Sequence, residues 1–128
     1  MTIESEHGKS YISVDGDIIS VIAVGAYNKE GIIKTIEQLK SAIESFNQKK
    51  FKLLFDYSQV EGATPDVFNE INECNVWLNC QNMAAKALVI NSTMHLAILE
   101  SRTPARNLQN AKNFEDKPSA INWLKSLS

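Results

Sequence analysis

Asp56 is the residue of this sequence that is best placed to do chemistry. It closes a run, Phe51–Asp56, that is too short for a typical helix and rich in aromatic and aliphatic side chains, which predicts a buried strand. Ligands and partners gather at the carboxyl ends of parallel strands in open α/β sheets. We therefore predict that the end of this strand and the loop from Tyr57 to Asp66 form a binding rim, whose expected members are Asp56, Tyr57, Ser58, Gly62, Thr64 and Asp66.

The Asp56 carboxylate has two interpretations. At the end of a central strand it could bind a cation or act as a general base. It could also accept backbone N–H bonds from the turn that follows, as aspartates do in Asx turns, and we favour this structural role. An enzyme would need a carboxylate with a strongly shifted pKa in a cleft beside Asp56.

The sequence carries no catalytic signature. Its five glycines, at positions 8, 16, 25, 31 and 62, form no GxGxxG motif and no phosphate loop, and no GxSxG elbow is present. His7 and His95 have no acidic partner in the pattern, and surface or capping histidines are commoner than metal ligands. Cys74 and Cys80 fall in one predicted helix on different faces, which favours buried free thiols. We predict no catalysis, no cofactor and no metal.

Two further groups of side chains could bind something. The aromatic residues Tyr57, Trp77 and Trp123 could line an apolar pocket, although aromatic side chains in a small core mostly serve packing. A second group could bind an anion or an acidic partner from one face of the third helix, although we favour a solvated face; its members are His95, Arg102 and Arg106.

Length and charge exclude several classes of protein. A chain of 128 residues predicts one domain, residues 1–128, and 13 basic against 15 acidic side chains do not favour nucleic acid as a partner. The start, 1–10, lacks the apolar core of a signal peptide, and the longest apolar run, 18–26, is too short to cross a bilayer. Free thiols fit a reducing compartment, so we predict a cytoplasmic protein without a membrane segment.

Elements with strand and helix periodicity alternate along the chain. Asp15-Gly16-Asp17 predicts a hairpin turn between two strands, after which helices and strands take turns, a pattern that predicts a mostly parallel sheet. Asn28, Thr64 with Pro65, Thr93 and Asp116 mark the predicted helix starts, and proline 104 should kink or split the third helix. The predicted strands are 11–14, 18–26, 51–56, 84–90 and 111–114.

Three stretches together resemble one family. They are a hairpin ending in Ile19-Ser20-Val21-Ile22-Ala23-Val24-Gly25, the strand Lys52-Leu53-Leu54-Phe55-Asp56-Tyr57-Ser58, and Phe114-Glu115-Asp116 followed by Ala120-Ile121-Asn122-Trp123-Leu124. In this order they resemble SpoIIAA-like, or STAS-like, bacterial proteins. The resemblance implies an α/β fold with a mixed, mostly parallel sheet of about five strands, an N-terminal β-hairpin and four flanking helices.

The resemblance also implies a non-catalytic, regulatory binding function. Anti-sigma-factor antagonists of this family carry a phosphorylatable serine in Asp-Ser-Ser-Gly at the start of the second helix, where phosphate switches partner binding. Here that stretch reads Gly62-Ala63-Thr64-Pro65-Asp66, so Thr64 is the one candidate phosphosite.

Two alternatives stay open beside a protein partner. The family's link to Sec14-type lipid-binding domains favours a small hydrophobic ligand or lipid, held in an apolar pocket formed by Val60, Phe68, Trp77 and the third helix. The other alternative is a homodimer, formed through an apolar helical surface or an uncovered sheet face.

Overall fold

The computed structural model describes residues 2–5 and 8–127 and contains one six-stranded mixed sheet. The order of strands across the sheet is their order in the chain. The first two neighbouring pairs are antiparallel and the following three are parallel. The strands are β1 (Thr2–Ser5), β2 (Gly8–Asp15), β3 (Ile18–Tyr27), β4 (Phe51–Ala63), β5 (Met83–Val89) and β6 (Ala111–Phe114).

Four α-helices and one 3-10 segment connect and close the sheet: α1 (Lys29–Glu44), α2 (Pro65–Leu78), α3 (Thr93–Arg102), the segment Pro104–Leu108 and α4 (Lys117–Ser126). The Asn28 side chain caps α1 by accepting the Gly31 N–H at 2.9 Å, and Asp116 caps α4 in the same way. No helix within the described ranges is long and apolar enough to cross a membrane.

The helices cover the two faces of the sheet unequally. The first three pack on one face, where two large apolar clusters form, and α4 alone packs on the other. There Ala120 and Leu124, both fully buried, cover side chains of the central strands, namely Ile18, Leu54, Ala85, Ala87 and Val89. This face lies open over β2, where Tyr11 remains 37% exposed.

The predicted architecture is confirmed, with one strand more than expected. The hairpin turn lies at Gly16 with φ 61°, Pro104 divides the third helical region, and 111–114 is an edge strand. The additional strand, β1, lies within residues 1–10, for which the sequence predicted no strand.

Some predicted boundaries were wrong. The second predicted strand, 18–26, is β3 and extends one residue further, to Tyr27, with Gly25 at φ 92° beside a bulge. The second helix ends at Leu78, so Cys80 lies beyond it and is exposed, whereas Cys74 is buried as predicted; both are free thiols. The predicted role of His7 concerns a residue outside the described ranges.

The largest correction concerns the central strand. β4 lies inside the sheet, as predicted, but it ends at Ala63 and not at Asp56. Pairing with β5 stops at Asp56, so residues 57–63 pair with β3 alone and present one open edge. Polar side chains are tolerated on such an edge, which is why this half of the strand had the composition of a loop.

Candidate functional site

Asp56 lies at a β-bulge in the middle of β4. The register passes from Ile22 opposite Asp56 to Val24 opposite Gln59, so β4 carries one extra residue there. The Asp56 Oδ1 atom accepts hydrogen bonds from the Ser58 backbone N–H at 2.9 Å and from the Ser58 hydroxyl at 2.6 Å. Asp56 is 5% exposed. The predicted bond to the following backbone is confirmed, whereas the predicted position at a strand end was wrong.

The remaining rim residues do not converge on Asp56. Tyr57 points to the helix-covered face, where its ring meets His95 edge-on and burial raises its pKa to about 12. Thr64 and Asp66 are exposed at the start of α2, and the Thr64 hydroxyl donates to Asp66 Oδ1. Ser58 and Gly62 are half-buried. A binding role for this rim stays a prediction.

The predicted apolar pocket is divided between two clusters. Val60 and Phe68 are buried together with Tyr57, whereas Trp77 packs with the other cluster and lies 5.1 Å from the Lys40 Nζ atom. Trp123 lies on the opposite face of the sheet, against Phe114. The structure therefore does not gather these residues around one cavity.

The basic residues of the third helix are also separated. Arg102 is exposed at the end of α3, and Arg106 lies in the 3-10 segment because the helix stops before Pro104. Arg106 is half-buried: it lines a cavity that also borders α2 and β5, and its guanidinium donates to the exposed Asn113. The three residues thus do not share one helix face.

A set of small cavities lies between the sheet and helices α1, α2 and α3. Three cavities of about 30, 10 and 30 Å³ share Phe55 and Ile71, and we call them together the Phe55 cleft. Phe55 belongs to the central strand and faces the helices, yet it is half-buried, while its neighbours Leu53 and Leu88 are buried. Apolar side chains form most of the walls, including Ile32, Ile36, Leu39, Tyr57, Val67, Leu88 and Leu99.

One side of the Phe55 cleft is polar and positively charged. Lys86 of β5 is only 7% exposed, and its Nζ atom donates to Asn75 Oδ1 at 2.9 Å. The same oxygen accepts from Gln109 Nε2 at 3.2 Å, while the buried Gln109 Oε1 receives no hydrogen bond from any described residue. Burial lowers the pKa of Lys86 to about 8, and the nearby Arg106 guanidinium acts in the same direction.

The sequence contained a signal for this polar side. Lys86 is the one charged residue in the apolar run 84–90. Lysine is rarely buried in a strand unless its charge is paired. Asn75 and Gln109 gave no comparable signal in the sequence. The hydrogen bond between them depends on the path of the chain after Pro104, which the sequence pattern does not predict.

A wider concavity lies elsewhere, at the end of the sheet where β4 begins. It has a volume of about 720 Å³ and lies between the chain segments that follow α1 and α2. Its wall consists mainly of exposed polar residues, among them Asn47, Gln48, Lys49 and Asn82. Nothing in it combines buried apolar surface with a buried charge, so the Phe55 cleft is the stronger candidate.

The candidate metal ligands do not cluster. Within residues 2–5 and 8–127, no three or more His, Cys, Asp or Glu side chains are grouped so that they could hold a metal ion.

The whole chain has a SpoIIAA-like α/β fold. It is similar to the crystal structure of an uncharacterised protein from the DUF3478 family with a SpoIIAA-like fold, from Shewanella loihica PV-4, with a TM-score of 0.69 and 18% sequence identity. The similarity covers 97% of this chain and 98% of the other. No family model and no curated protein matches the sequence. The fold implied by the resemblance is thereby confirmed.

Proposed function

We propose that this chain is a non-catalytic STAS-like binding domain that takes a small apolar molecule in the Phe55 cleft. The observation that carries the proposal is the incomplete burial of Phe55, a central-strand aromatic residue on the helix-covered face. Native cores are close-packed, so a half-buried ring between fully buried neighbours marks a gap that a ligand can fill.

The walls of the cleft support an apolar ligand of modest size. Each cavity has room for about one water-sized group, so a ligand reaching across all three must displace the Phe55 ring. Ligand pockets are usually lined by apolar and aromatic side chains with a few polar groups that fix orientation. The cleft has this composition, with Lys86 and Asn75 on one side.

Enlarging the side chain of Ile71 should close the cleft. We expect Ile71→Phe to fill the cavities that Ile71 lines and to weaken binding of a short apolar probe, hexan-1-ol, at least about tenfold. The measurement is the shift of the Leu88 and Leu99 methyl signals in NMR titrations. Co-purified ligand, detected by native mass spectrometry of gently isolated protein, should disappear from the same variant.

The matched control is Val76→Phe, because Val76 lies on the outward side of the same helix and is 53% exposed. This control should bind the probe as the unaltered protein does. The proposal fails if the unaltered protein shows no methyl shift with the probe and carries no apolar molecule through purification.

A protein partner at the start of α2 is the second candidate. The Thr64 hydroxyl is exposed, makes no capping bond to the helix and donates a hydrogen bond to Asp66. It is therefore free to be modified without loss of a cap, and phosphate there would lie beside the positive end of the helix dipole.

Replacing Thr64 with glutamate tests this second candidate. Thr64→Glu adds a negative charge at the helix start and should change the set of proteins retained in a pull-down, whereas Ser101→Glu, at an exposed site on α3, should not. An identical set of retained proteins for all three forms would count against partner switching. A homodimer and a cytoplasmic location stay predictions.

A further inference from the structure

Lys86 is a buried cation whose described partner is a neutral amide oxygen. A lysine ammonium group has three N–H donors, and the structure gives its Nζ atom the single acceptor Asn75 Oδ1. That acceptor is shared with Gln109. Buried charges are normally paired, because desolvating an ion without a counter-charge is costly. Among the described residues, the amine therefore has no counter-ion.

Around Lys86 the other charged group is also a cation. Arg106 lines the same cavity, and its guanidinium donates to Asn113 at 2.8 Å. No aspartate or glutamate is among the described residues that line this cavity. The remaining titratable neighbour, Cys74, has its thiol pKa raised by burial, so it is not a standing anion at neutral pH. A positive, uncompensated site thus borders an apolar cleft.

From this arrangement we infer that the ligand of the Phe55 cleft is a small organic acid, whose carboxylate pairs with Lys86 and Arg106 and whose apolar body lies against Phe55 and Leu99. The inference rests on the proposed function, since it names the chemistry of the molecule bound in that cleft. A carboxylate accepts hydrogen bonds from an ammonium and a guanidinium group in its ordinary ionised form.

A monocarboxylate fits this site better than a phosphate ester does. A carboxylate head group is planar and has two oxygen atoms, whereas the head group of a phosphate ester is tetrahedral and presents three. The cavity beside Lys86 has a volume of about 30 Å³, which also favours the smaller group. Most of the other residues that line this cavity are apolar, namely Tyr57, Ile71, Leu88 and Leu99, so the body of the acid must be apolar too.

The test compares hexanoate with hexanamide, which has nearly the same shape but no charge. We expect the unaltered protein to bind hexanoate about 10- to 100-fold more tightly than hexanamide at pH 7, since a hydrogen-bonded ion pair is formed by the acid alone. Lys86→Met should abolish this preference, while Lys50→Met, which removes an exposed lysine, should preserve it. Methyl shifts of Leu88 and Leu99 report binding in each titration.

A second measurement uses the unaltered protein and needs no variant. Saturating hexanoate should raise the pKa of Lys86, followed by NMR of its Cε and Nζ nuclei, and hexanamide should leave that pKa where it is. The direction follows because a bound anion stabilises the charged amine.

The outcomes separate the two proposals. Equal affinities for acid and amide, or an unchanged Lys86 pKa with hexanoate bound, would overturn the organic-acid inference and leave an apolar-ligand domain standing. Absence of binding for hexan-1-ol, hexanoate and hexanamide alike would overturn the proposed function itself.

Discussion

Replacing Lys86 with methionine should stabilise the ligand-free protein by about 3 kcal/mol at pH 7. Burial lowers the pKa of this amine from its ordinary 10.5 to about 8, and one pKa unit corresponds to about 1.4 kcal/mol. The protonated amine is therefore costly to the folded state at neutral pH. Methionine has a similar unbranched shape and no charge, so it should avoid this cost of about 3.5 kcal/mol. The loss of the hydrogen bond from Lys86 to Asn75 offsets about 0.5 to 1 kcal/mol of the gain.

The lowered pKa of Lys86 also predicts how the difference in unfolding free energy between Lys86→Met and the parent protein depends on pH. The folded amine loses its proton near pH 8 and the unfolded amine near pH 10.5, so the unfolded state binds more protons between these values. The contribution of Lys86 to stability therefore rises with pH in this window. The advantage of Lys86→Met should be complete below pH 8 and should shrink towards pH 10.5.

Urea unfolding of both proteins between pH 7 and pH 10 measures this advantage. Tyr57 also has a raised pKa, which lowers stability as the unfolded chain ionises, but it is present in both proteins and largely cancels in the difference. The pKa of Cys74 is raised by burial and partly lowered by the Lys86 charge, so its contribution cancels only in part. Lys50→Met serves as the exposed control and should change stability little. A Lys86→Met protein less stable than the parent at pH 7 would mean that the amine already has a counter-ion.

Removing the Asp56 carboxyl should destabilise the protein by about 2–3 kcal/mol. Asp56 accepts both the Ser58 backbone N–H and the Ser58 hydroxyl, and the bulge leaves this N–H outside the ladder between β3 and β4. Asp56→Ala removes the acceptor of these two donors on the half-buried Ser58, and polar groups left unpaired in this way are costly. Denaturant unfolding at constant pH gives the free energy of unfolding.

Asp56→Asn is the matched control for this prediction. The asparagine Oδ1 atom can accept the same two hydrogen bonds, so the loss should be less than about 1 kcal/mol. Unchanged stability of Asp56→Ala would show that these hydrogen bonds contribute little to the fold, and Asn as harmful as Ala would show that the charge matters more than the hydrogen bonds. Either result would revive the binding or catalytic interpretation of this carboxylate.

Most of the architecture could be predicted from the sequence because local patterns determine it. The Gly16 turn, the Asn28 and Asp116 caps and the break at Pro104 each act within a few residues of chain. The continuation of β4 beyond Asp56 could not be predicted in this way. It depends on pairing with β3 across two bulges, and the polar residues of that half have loop-like composition.

The candidate site was mostly hidden from sequence reasoning for a related reason. Lys86 was visible as a lone charge in an apolar strand, but its counterparts come from two other segments: Asn75 from α2, and Arg106 and Gln109 from the 3-10 segment and its C-terminal end. Only the packing of α2 against the 3-10 segment brings these segments beside β5. Asp56 was predicted as a site residue because a carboxylate can act as a base or bind a cation. In the structure, its two hydrogen bonds from Ser58 give it a structural role.

The identity of strand order and chain order has a consequence for how a nascent chain can fold on the ribosome. Each strand that emerges finds its neighbour already made, so the sheet can grow by one strand at a time without waiting for distant segments. The exception is the side of the sheet that α4 covers. Its apolar side chains, Leu54 and Ala87 among them, remain exposed to solvent until α4 has been synthesised. The incomplete chain is therefore most prone to aggregation shortly before α4 emerges.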